Sequence, residues 1–357
     1  MEQPHHKTSL VLQSSDLILQ ICSRVPYHHH STLRCVNKRI CELLLSPEFT
    51  KARRELGCVE MGIIFLKNIS HLDESGYPYT NTECWLLAGT RWLQLPSPSV
   101  THHCVCSAVH GDRLFVCGGC GGASKTVEVY SHSSCTWKFL RVPMNEFRND
   151  AVCCVVDGSL VVSGGFSYDD ERYLKTTEIY DPMSGKWTKI SPLLDTGIPI
   201  VACELDNRLF VVTGHLTSPE LDTVNTLQLW NKDSQKWTLC EPMPNRRFRA
   251  ACVVYYDRIM IIGGYVWGDD GMCVDAAGST SVILYDPKSD KWIDGSPLPE
   301  PCVYGHAVAC DGAVILFGLS RILKFEDNAW EYINIPGIIN AKRFGDELIG
   351  AHPITIG

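Results

Sequence analysis

The stretch RLFVCGG at residues 113–119 returns four times, in altered form, further along the 357-residue chain. Each copy is a short run of β-favouring apolar residues that ends in glycine, and such self-similarity indicates a repeat architecture. The later copies are SLVVSGG (159–165), RLFVVTG (208–214), RIMIIGG (258–264) and AVILFG (313–318). Successive copies end 46, 49, 50 and 54 residues apart, at Gly119, Gly165, Gly214, Gly264 and Gly318. The pattern predicts one small four-stranded sheet per repeat.

A pair of aromatic residues marks the second half of each repeat. The two members are seven positions apart in Tyr130/Trp137, Tyr180/Trp187, Trp230/Trp237, Tyr285/Trp292 and, upstream, Trp85/Trp92; a sixth pair, Phe325/Trp330, is five apart. Tryptophan buries a large apolar ring while its N–H seeks an acceptor, which suits packing between neighbouring sheets. Glycine at a strand end permits positive φ or close backbone approach. We therefore expect a structural role for Gly119, Gly165, Gly264, Trp137, Trp187, Trp237 and Trp292.

A double glycine, a tyrosine and a tryptophan seven residues later, at a period near 50, resemble the kelch repeat. The resemblance covers residues 57–357 and implies a mainly β fold, a six-bladed kelch β-propeller. Thr213 and Phe317 replace the first glycine of the pair in two repeats. The first repeat has no inner strand ahead of MGIIFL, so we expect the C-terminal stretch AKRFGDELIGAH (341–352) to close the ring.

The N-terminal part of the chain has a different periodicity. After a loose tail at residues 1–8, apolar residues in 9–56 recur at spacings of three and four, which is typical of helices. One set includes Leu17 and Ile21, and a second includes Leu33 and Val36. SPEF (46–49) begins a third short helix, with proline in its first turn. A helical unit this small is expected to dock on something.

Beside a propeller, these helices resemble an F-box. QSSDLILQICSRVP (13–26), LRCVNKRI (33–40) and SPEF match segments of that motif, although Gln13-Ser14 stands where Leu-Pro is usual and Ile40 where Trp is usual. The resemblance implies a small three-helix F-box that binds a Skp-type linker protein, and through it a cullin. The residues expected to contact the linker are Leu17, Leu19, Ile21, Pro26, Leu33 and Val36.

The amino-acid composition argues against some classes of binding partner. The formal net charge is -8, whereas a protein that tracks nucleic acid or docks on an anionic membrane needs a basic surface. No run of 18 apolar residues predicts a membrane span. The 18 cysteines are scattered through strand-like runs, which favours buried free thiols in a reducing compartment, the cytoplasm or nucleus.

Some residues suggest a metal or catalytic site, but a simpler interpretation fits them. Cys117 and Cys120 in CGGC, with His102, His103, Cys104 and Cys106 upstream, superficially offer metal ligands, but their places on strands and at the repeat glycines favour core cysteines. The sequence contains no G-x-S-x-G, H-E-x-x-H or phosphate-loop motif. We therefore expect no metal, no cofactor and no catalytic residue.

Candidate residues for binding a target lie before the inner strands. Seventeen positions ahead of the second repeat glycine stand His102, Arg148 and Arg247, and Arg246 adjoins the last of these in the basic cluster NRRFR (245–249). In propellers of this family such loops ring one mouth of the channel, where arginines suit acidic or phosphorylated motifs. Solvated loop arginines are an equal alternative. Trp267, on the longest loop, is a second potential anchor, unless it folds back over its own blade.

The F-box resemblance implies a substrate-recognition adaptor of an SCF-type cullin–RING ubiquitin ligase. The F-box would bind the linker, the propeller would hold an unknown target protein, and other subunits would transfer ubiquitin. The main alternative is a kelch scaffold for protein interaction that acts outside a ubiquitin ligase. An enzymatic propeller ranks third.

Overall fold

The computed structural model describes residues 15–25, 30–44, 46–58, 60–72, 78–89, 91–119, 124–195, 198–214, 225–268, 273–274, 277–318, 321–335 and 348–356. The predicted tail at 1–8 and Pro26 lie outside these residues. Within the described residues, four helices come first: α1 (Ser15–Ser23), α2 (His30–Arg34), α3 (Lys38–Leu44) and α4 (Pro47–Glu55). The second predicted helix is split, because the side chain of Asn37 accepts a hydrogen bond from the Ile40 amide (2.9 Å) and starts α3 as an N-cap.

Six four-stranded antiparallel sheets follow, and they are the blades of a β-propeller. Blade 1 contains β1 (Glu60–Leu72), β2 (Pro78–Ala88) and β3 (Arg91–Leu95). Blade 2 contains β4 (Cys106–His110), β5 (Arg113–Cys117), β6 (Val127–Ser131) and β7 (Thr136–Phe139). Blade 3 contains β8 (Val152–Val156), β9 (Ser159–Ser163), β12 (Thr177–Asp181) and β13 (Lys186–Ile190), with the ribbon β10 (Phe166–Ser167) and β11 (Arg172–Tyr173) inserted.

The other three blades repeat this plan. Blade 4 contains β14 (Ile198–Leu205), β15 (Arg208–Gly214), β16 (Leu227–Asn231) and β17 (Lys236–Leu239). Blade 5 contains β19 (Ala251–Tyr255), β20 (Arg258–Ile262), β22 (Val282–Asp286) and β23 (Lys291–Asp294), and a second ribbon joins β18 (Arg246–Phe248) to β21 (Tyr265–Trp267). Blade 6 contains β24 (His306–Cys310), β25 (Ala313–Phe317), β26 (Ile322–Glu326) and β27 (Ala329–Ile333).

The C-terminal strand β28 (Leu348–Ile356) closes the ring. It pairs antiparallel with β1 and becomes the inner strand of blade 1, so the strand order of that sheet is β28-β1-β2-β3. Residues 348–352 of this strand belong to the stretch 341–352 named from the sequence, and residues 341–347 lie outside the described residues. The first and last strands of the propeller are therefore joined by hydrogen bonds rather than left as two open edges.

The apolar core is divided among the interfaces between blades. Six clusters of buried side chains lie one at each interface, and each combines residues of two neighbouring sheets. Between blades 4 and 5, for example, Phe210 packs with Ile259 and Tyr285. This division follows from strand geometry, because alternate side chains of each strand point to opposite faces, and each face meets a different neighbour.

The repeat glycines combine positive φ with close approach of another backbone. Gly119 has φ 108°, and a Cβ there would lie 2.6 Å from the carbonyl oxygen of His103. Gly118 has φ 69°, and a Cβ there would lie 2.4 Å from the carbonyl oxygen of Arg148, which belongs to the next blade. Any side chain at these two positions would therefore push apart backbone segments that pack directly.

The repeated aromatic residues form cross-strand pairs. Tyr180 and Trp187 are register partners with ring centroids 5.3 Å apart, and the indole N–H of Trp187 donates to the carbonyl of Val142 in the preceding blade (3.0 Å). The same donation to the preceding blade is made by Trp137, Trp237, Trp292 and Trp330. Each of these tryptophans thus contributes both apolar contact and a satisfied hydrogen bond between blades.

Blade 1 departs from the predicted aromatic spacing. Trp92 is the register partner of Leu87, five residues away, whereas Trp85 pairs with Gln94. The interpretation of Trp85 and Trp92 as a repeat pair is therefore wrong: their separation of seven is coincidental. Blade 1 instead has the shorter hairpin of blade 6, where Phe325 and Trp330 are partners.

A buried arginine links the helices to the propeller. The Arg53 guanidinium, on α4, donates to the carbonyls of Ser23 (3.1 Å) and Val25 (2.6 Å) in the helical region. It also donates to the Cys58 carbonyl and to the side chain of Glu60 on β1 (3.0 Å). Since this one side chain satisfies acceptors on both sides of the junction, it fixes where the helices leave the first blade.

Candidate functional site

The six inner strands surround a central cavity of about 1110 Å³. Its wall is formed by β4, β8, β14, β19, β24 and β28. At the end where these strands begin, the cavity opens into a mouth formed by the segments that enter the strands and by the ribbon of blade 3. A concave site lined by several elements is the usual place for ligand recognition on a rigid scaffold, so this mouth is the candidate site.

Four residues with a left-handed backbone stand two positions ahead of their inner strands: Cys104, Asp150, Arg249 and Tyr304, with φ between 49° and 55°. Backbone hydrogen bonds connect two pairs of them, from the Asp150 amide to the Cys104 carbonyl (2.8 Å) and from the Tyr304 amide to the Arg249 carbonyl (3.0 Å). All four line the cavity. Non-glycine residues with positive φ are uncommon and concentrate at functional sites, which singles out this ring of positions.

Arg249 is the central charged residue of the mouth. Its guanidinium lies 3.5 Å from the Asp150 carboxylate and stacks over the rings of Phe248 (4.7 Å) and Tyr304 (5.1 Å). Such stacking orients a guanidinium while leaving part of it accessible. About a third of the side chain remains exposed (37%), so it can contact a ligand.

Aromatic residues complete the mouth on the side of blade 3. Phe166 packs edge-on against Tyr168 (5.1 Å) and Tyr173 (5.0 Å), and Tyr168 remains 62% exposed. Burial, followed by the nearby charge of Asp150, raises the pKa of Tyr173, which therefore stays a neutral hydrogen-bonding group. We call Asp150, Phe166, Tyr168, Tyr173, Phe248, Arg249 and Tyr304 the aromatic mouth. Exposed rings beside a partly paired arginine are typical of protein-binding hot spots.

The expectation that Arg148 and Arg247 face a ligand at the mouth is wrong. They are 1% and 0% exposed. The Arg148 guanidinium donates to the carbonyls of Gly164 (2.7 Å) and Thr176 (2.9 Å) and pairs with buried Glu178 (3.0 Å). Both side chains lie inside the blades because carbonyls at strand ends need donors there.

Arg247 repeats the arrangement in blade 5. It donates to the carbonyls of Gly263 (2.9 Å) and Ser281 (3.1 Å), and burial lowers the pKa of this guanidinium to about 10. His102 is also an internal residue, 1% exposed, with Nε2 3.2 Å from the carboxylate of Glu128. The position seventeen residues ahead of the second repeat glycine is thus a recurring buried position with a structural role.

The repeat of blade 6 is displaced by one residue from the alignment expected from its glycine, Gly318. Register places Phe317 opposite His306, as Ile262 is opposite Ala251, so Gly318 occupies the place of the first repeat glycine, not the second. The residue of blade 6 that corresponds to Arg247 is therefore Cys302, whose carbonyl accepts a hydrogen bond from Gly264 (2.7 Å). The shift arose because this repeat has only one glycine.

Arg246 and Trp267 face each other as register partners on the ribbon of blade 5. Both are half-buried, and a further bridge joins Trp267 to Cys273. Backbone pairing thus holds Trp267 within the ribbon, and packing of its ring over its own blade stays a prediction. Neither residue lines the cavity.

The predicted linker-binding residues separate into two groups. Leu19 and Leu33 pack on a small core of Cys22, Leu44 and Phe49. Ile21 and Val36 are 52% and 59% exposed, and Leu17 is half-buried. Pro26 falls outside the described residues. The helical region therefore presents apolar side chains to solvent after its own core is formed.

The cavity wall holds two polar groups of residues, of which only Cys106 and Cys117 were noted from the sequence, as core cysteines. The hydroxyl of Ser107 lies 2.7 Å from Nε2 of His352, and burial, followed by the charge of His306, lowers the pKa of His352 to about 4. Nearby, Cys106 receives hydrogen bonds from the thiols of Cys117 and Cys153, which lower its pKa well below the usual value. These residues come from different strands, so no local motif could have identified them.

Among the described helices, none is both long and apolar enough to cross a membrane.

Comparison with known proteins identifies the propeller. The KLHDC2/KLHL20/DRC7 Kelch-repeats domain matches residues 73–264, and the Kelch motif matches residues 246–299. The structure entitled "Structure of YjhT" superposes with a TM-score of 0.57 at 16% identity, over 68% of this chain and 86% of that one, which supports the fold alone.

Several similar proteins combine the repeats with a named F-box. F-box/kelch-repeat protein SKIP4 of Arabidopsis thaliana is 28% identical over 174 residues, 47% of this chain and 47% of that protein. Kelch-like protein 35 of Mus musculus is 29% identical over 230 residues, 64% of this chain and 37% of that protein. The match with SKIP4 thus spans about half of that plant protein's length. Because the Kelch-repeats domain covers more than half of the sequence, the chain belongs to the kelch-repeat family.

Proposed function

We propose that this protein is the substrate-recognition adaptor of an SCF-type ubiquitin ligase. The helices would bind a Skp-type linker, the aromatic mouth would hold the target, and the chain itself would catalyse no step. A kelch propeller is typically a scaffold for protein interaction, and several similar plant proteins are named F-box/kelch-repeat proteins. The observation that carries the proposal is the exposed apolar surface of the helices beside such a propeller.

Ile21 and Val36 supply the linker-binding part of the argument. Exposed apolar side chains on a unit whose own core is complete indicate a surface that a partner covers. Burial of one such side chain contributes roughly 1.5–3 kcal/mol, so a few of them suffice for a stable complex. The buried Arg53 would hold this surface at a fixed orientation to the propeller.

The experiment is co-purification of the full chain with a Skp-type protein. Ile21→Asp combined with Val36→Asp should abolish the complex, because each change places a charge in the contact, while the propeller melts normally. Leu239→Asp is the matched control, since Leu239 is equally exposed (59%) but lies on the outer strand of blade 4. Full retention of the linker by the double variant would exclude these helices as the linker-binding surface.

The target site is tested separately. In a reconstituted ligase, Arg249→Glu should abolish the ubiquitination of proteins that the wild-type chain presents, because it replaces the one positive charge of the aromatic mouth with a negative one. Arg246→Glu is the control, because that half-buried arginine does not line the cavity. If both variants modify the same proteins as wild type, the target binds elsewhere on the propeller.

A kelch scaffold outside a ligase remains the second candidate. The similarity to Kelch-like protein 35 of Mus musculus covers more of this chain than the similarity to SKIP4 does. A scaffold would bind targets through the aromatic mouth without any Skp-type linker. Target capture that is lost with Arg249→Glu, together with no linker in the purified complex, would select this candidate.

A further inference from the structure

Three cysteines from two neighbouring blades converge at the wall of the cavity. Cys106 on β4 and Cys117 on β5 are register partners in blade 2, and Cys153 lies on the inner strand β8 of blade 3. Their sulfur atoms all lie within 4.8 Å of one another. The three residues are 8%, 1% and 9% exposed, and all are free thiols.

The surroundings of these sulfurs favour a soft ligand. Their neighbours in the interface cluster are apolar and include Val127, Leu160 and Val162. These side chains carry none of the carboxylates and other oxygen donors that hard cations such as Mg²⁺ and Ca²⁺ require. Cys106 and Cys153 also line the cavity, which gives an ion a path from solvent.

The number and spacing of the donors indicate the coordination. Three sulfurs bound at ~2.3 Å to one ion in their plane would stand roughly 4 Å apart. The three cysteine sulfurs lie within 4.8 Å of one another, so small side-chain rotations would bring them to this spacing. Structural zinc sites are almost always four-coordinate. Within the part of the chain that the structure describes, no fourth histidine, cysteine or carboxylate joins the three cysteines.

We propose that Cys106, Cys117 and Cys153 form a three-coordinate thiolate site for Cu(I). Thiolates select soft ions, and Cu(I) is the soft ion compatible with three sulfur ligands. Because the ligands come from β4, β5 and β8, the ion joins blade 2 to blade 3 directly below the mouth residues Cys104 and Asp150. The site is separate from the proposed linker and target surfaces, and its test does not depend on them.

Cys154 provides a matched control. It adjoins Cys153 on the same strand and is equally buried (8%), but it faces the opposite side and packs at the interface with blade 4, near Val161 and Trp237. A serine at Cys154 therefore perturbs the same strand without removing a ligand. Exposed Cys35 and Cys104, which could bind copper adventitiously, are present in every variant.

The experiment is a competition between the reduced, full-length chain and a colorimetric Cu(I) chelator. Wild type and Cys154→Ser should each retain one Cu(I) that Cys106→Ser and Cys153→Ser lose, with affinity lower by at least about 100-fold. X-ray absorption of the wild-type complex should show three sulfur neighbours around copper. Loaded wild type and loaded Cys154→Ser should also melt higher than their metal-free forms.

Three results would overturn the assignment: equal retention of copper by Cys106→Ser and wild type, fewer than three sulfur neighbours, or Zn(II) binding these cysteines more tightly than Cu(I). Cys153→Ala serves if a serine variant fails to fold, because it removes only the sulfur and buries no hydroxyl. Metal-free melting curves of all variants identify such a failure before the titration.

Discussion

At the scale of single residues, the blades depend on a buried polar position in their third strands. Glu128, Glu178 and Gln228 are fully buried, and each accepts a hydrogen bond from a backbone amide of the loop that leads into its own blade. The ring of His102 lies against Glu128, and Arg148 supplies the positive partner of Glu178. These groups hold loops that have no regular structure, which explains why charged residues occur in strands otherwise made of apolar side chains.

Arg148→Met is expected to destabilise the protein by roughly 3–5 kcal/mol, because it leaves Glu178 buried without its cation. The loss is measured as the shift in the chemical unfolding midpoint.

Arg172→Met is the control for that change. Arg172 forms an exposed ion pair with Asp170 (3.6 Å), and such pairs contribute about 0–1 kcal/mol. If the two variants unfold at the same denaturant concentration, the buried network around Glu178 does not contribute as described.

At the scale of the elements, the outer hairpin of each blade is fastened to the preceding blade by its tryptophan. The side chain of this tryptophan is buried to a different extent in different blades. Trp237 is 5% exposed and packs in the core between blades 3 and 4, whereas Trp187 is half-buried at the margin of its own cluster. Both donate their indole N–H to the preceding blade.

The cost of removing these tryptophans should follow their burial. Trp237→Ala is expected to cost about 3–5 kcal/mol through lost contacts and a cavity. Trp187→Ala should cost less, because solvent can fill part of the space that it leaves. Thermal unfolding ranks the two, with Met183→Ala, at 94% exposure on the hairpin next to Trp187, as the unaffected control. A larger effect of Trp187 than of Trp237 would contradict this account of how the blades are joined.

The strongly periodic features could be predicted from the sequence, since each repeat must bury the same faces. The glycine pairs and the partners of Trp137, Trp187, Trp237 and Trp292 were visible for this reason. Blade 1 was misread because its hairpin is two residues shorter, which left Trp85 at the repeat spacing by coincidence.

The site was less predictable than the fold. NRRFR was recognised as the basic cluster, but only the backbone places Arg249 at the mouth and Arg247 inside a blade. Buried and exposed arginines alternate along this short segment, and the sequence alone does not indicate which of them is exposed to solvent. The cysteine cluster depends on residues from three strands and two blades, so spacing along the chain could not reveal it.

At the scale of the whole molecule, the helices and the propeller meet around buried histidines. His30 contacts Arg53, and burial lowers its pKa to about 4. His132, in the turn between β6 and β7 of blade 2, also has a pKa lowered to about 4 by burial. Arg34 on the helices reaches the neighbouring Cys135 (3.8 Å). The junction therefore contains groups that are neutral when folded and become charged in acid.

Stability should fall as the pH is lowered from about 6.5 to 4. The unfolded chain protonates its histidines near pH 6.5, whereas folded His30, His132 and His352 resist protonation until about pH 4. Protons therefore favour the unfolded state in this window, by up to about 1.4 kcal/mol per pH unit for each histidine. Urea unfolding across the range measures the slope, and His132→Gln should reduce it. A slope that is unchanged in this variant would show that His132 is not buried in its neutral form.

Arg53 should determine whether helices and propeller behave as one body. Arg53→Met removes the donors to Ser23, Val25 and Glu60 and leaves their acceptors buried or half-buried. We expect the helices to lose roughly 3–5 kcal/mol, enough to unfold a unit this small, while the propeller keeps its melting temperature. Hydrogen exchange should show fast exchange confined to α1–α4. Lys38→Met, which alters only an exposed pair with Glu42, should exchange like wild type. Protected helices in Arg53→Met would mean that their own core, and not this arginine, holds them on the first blade.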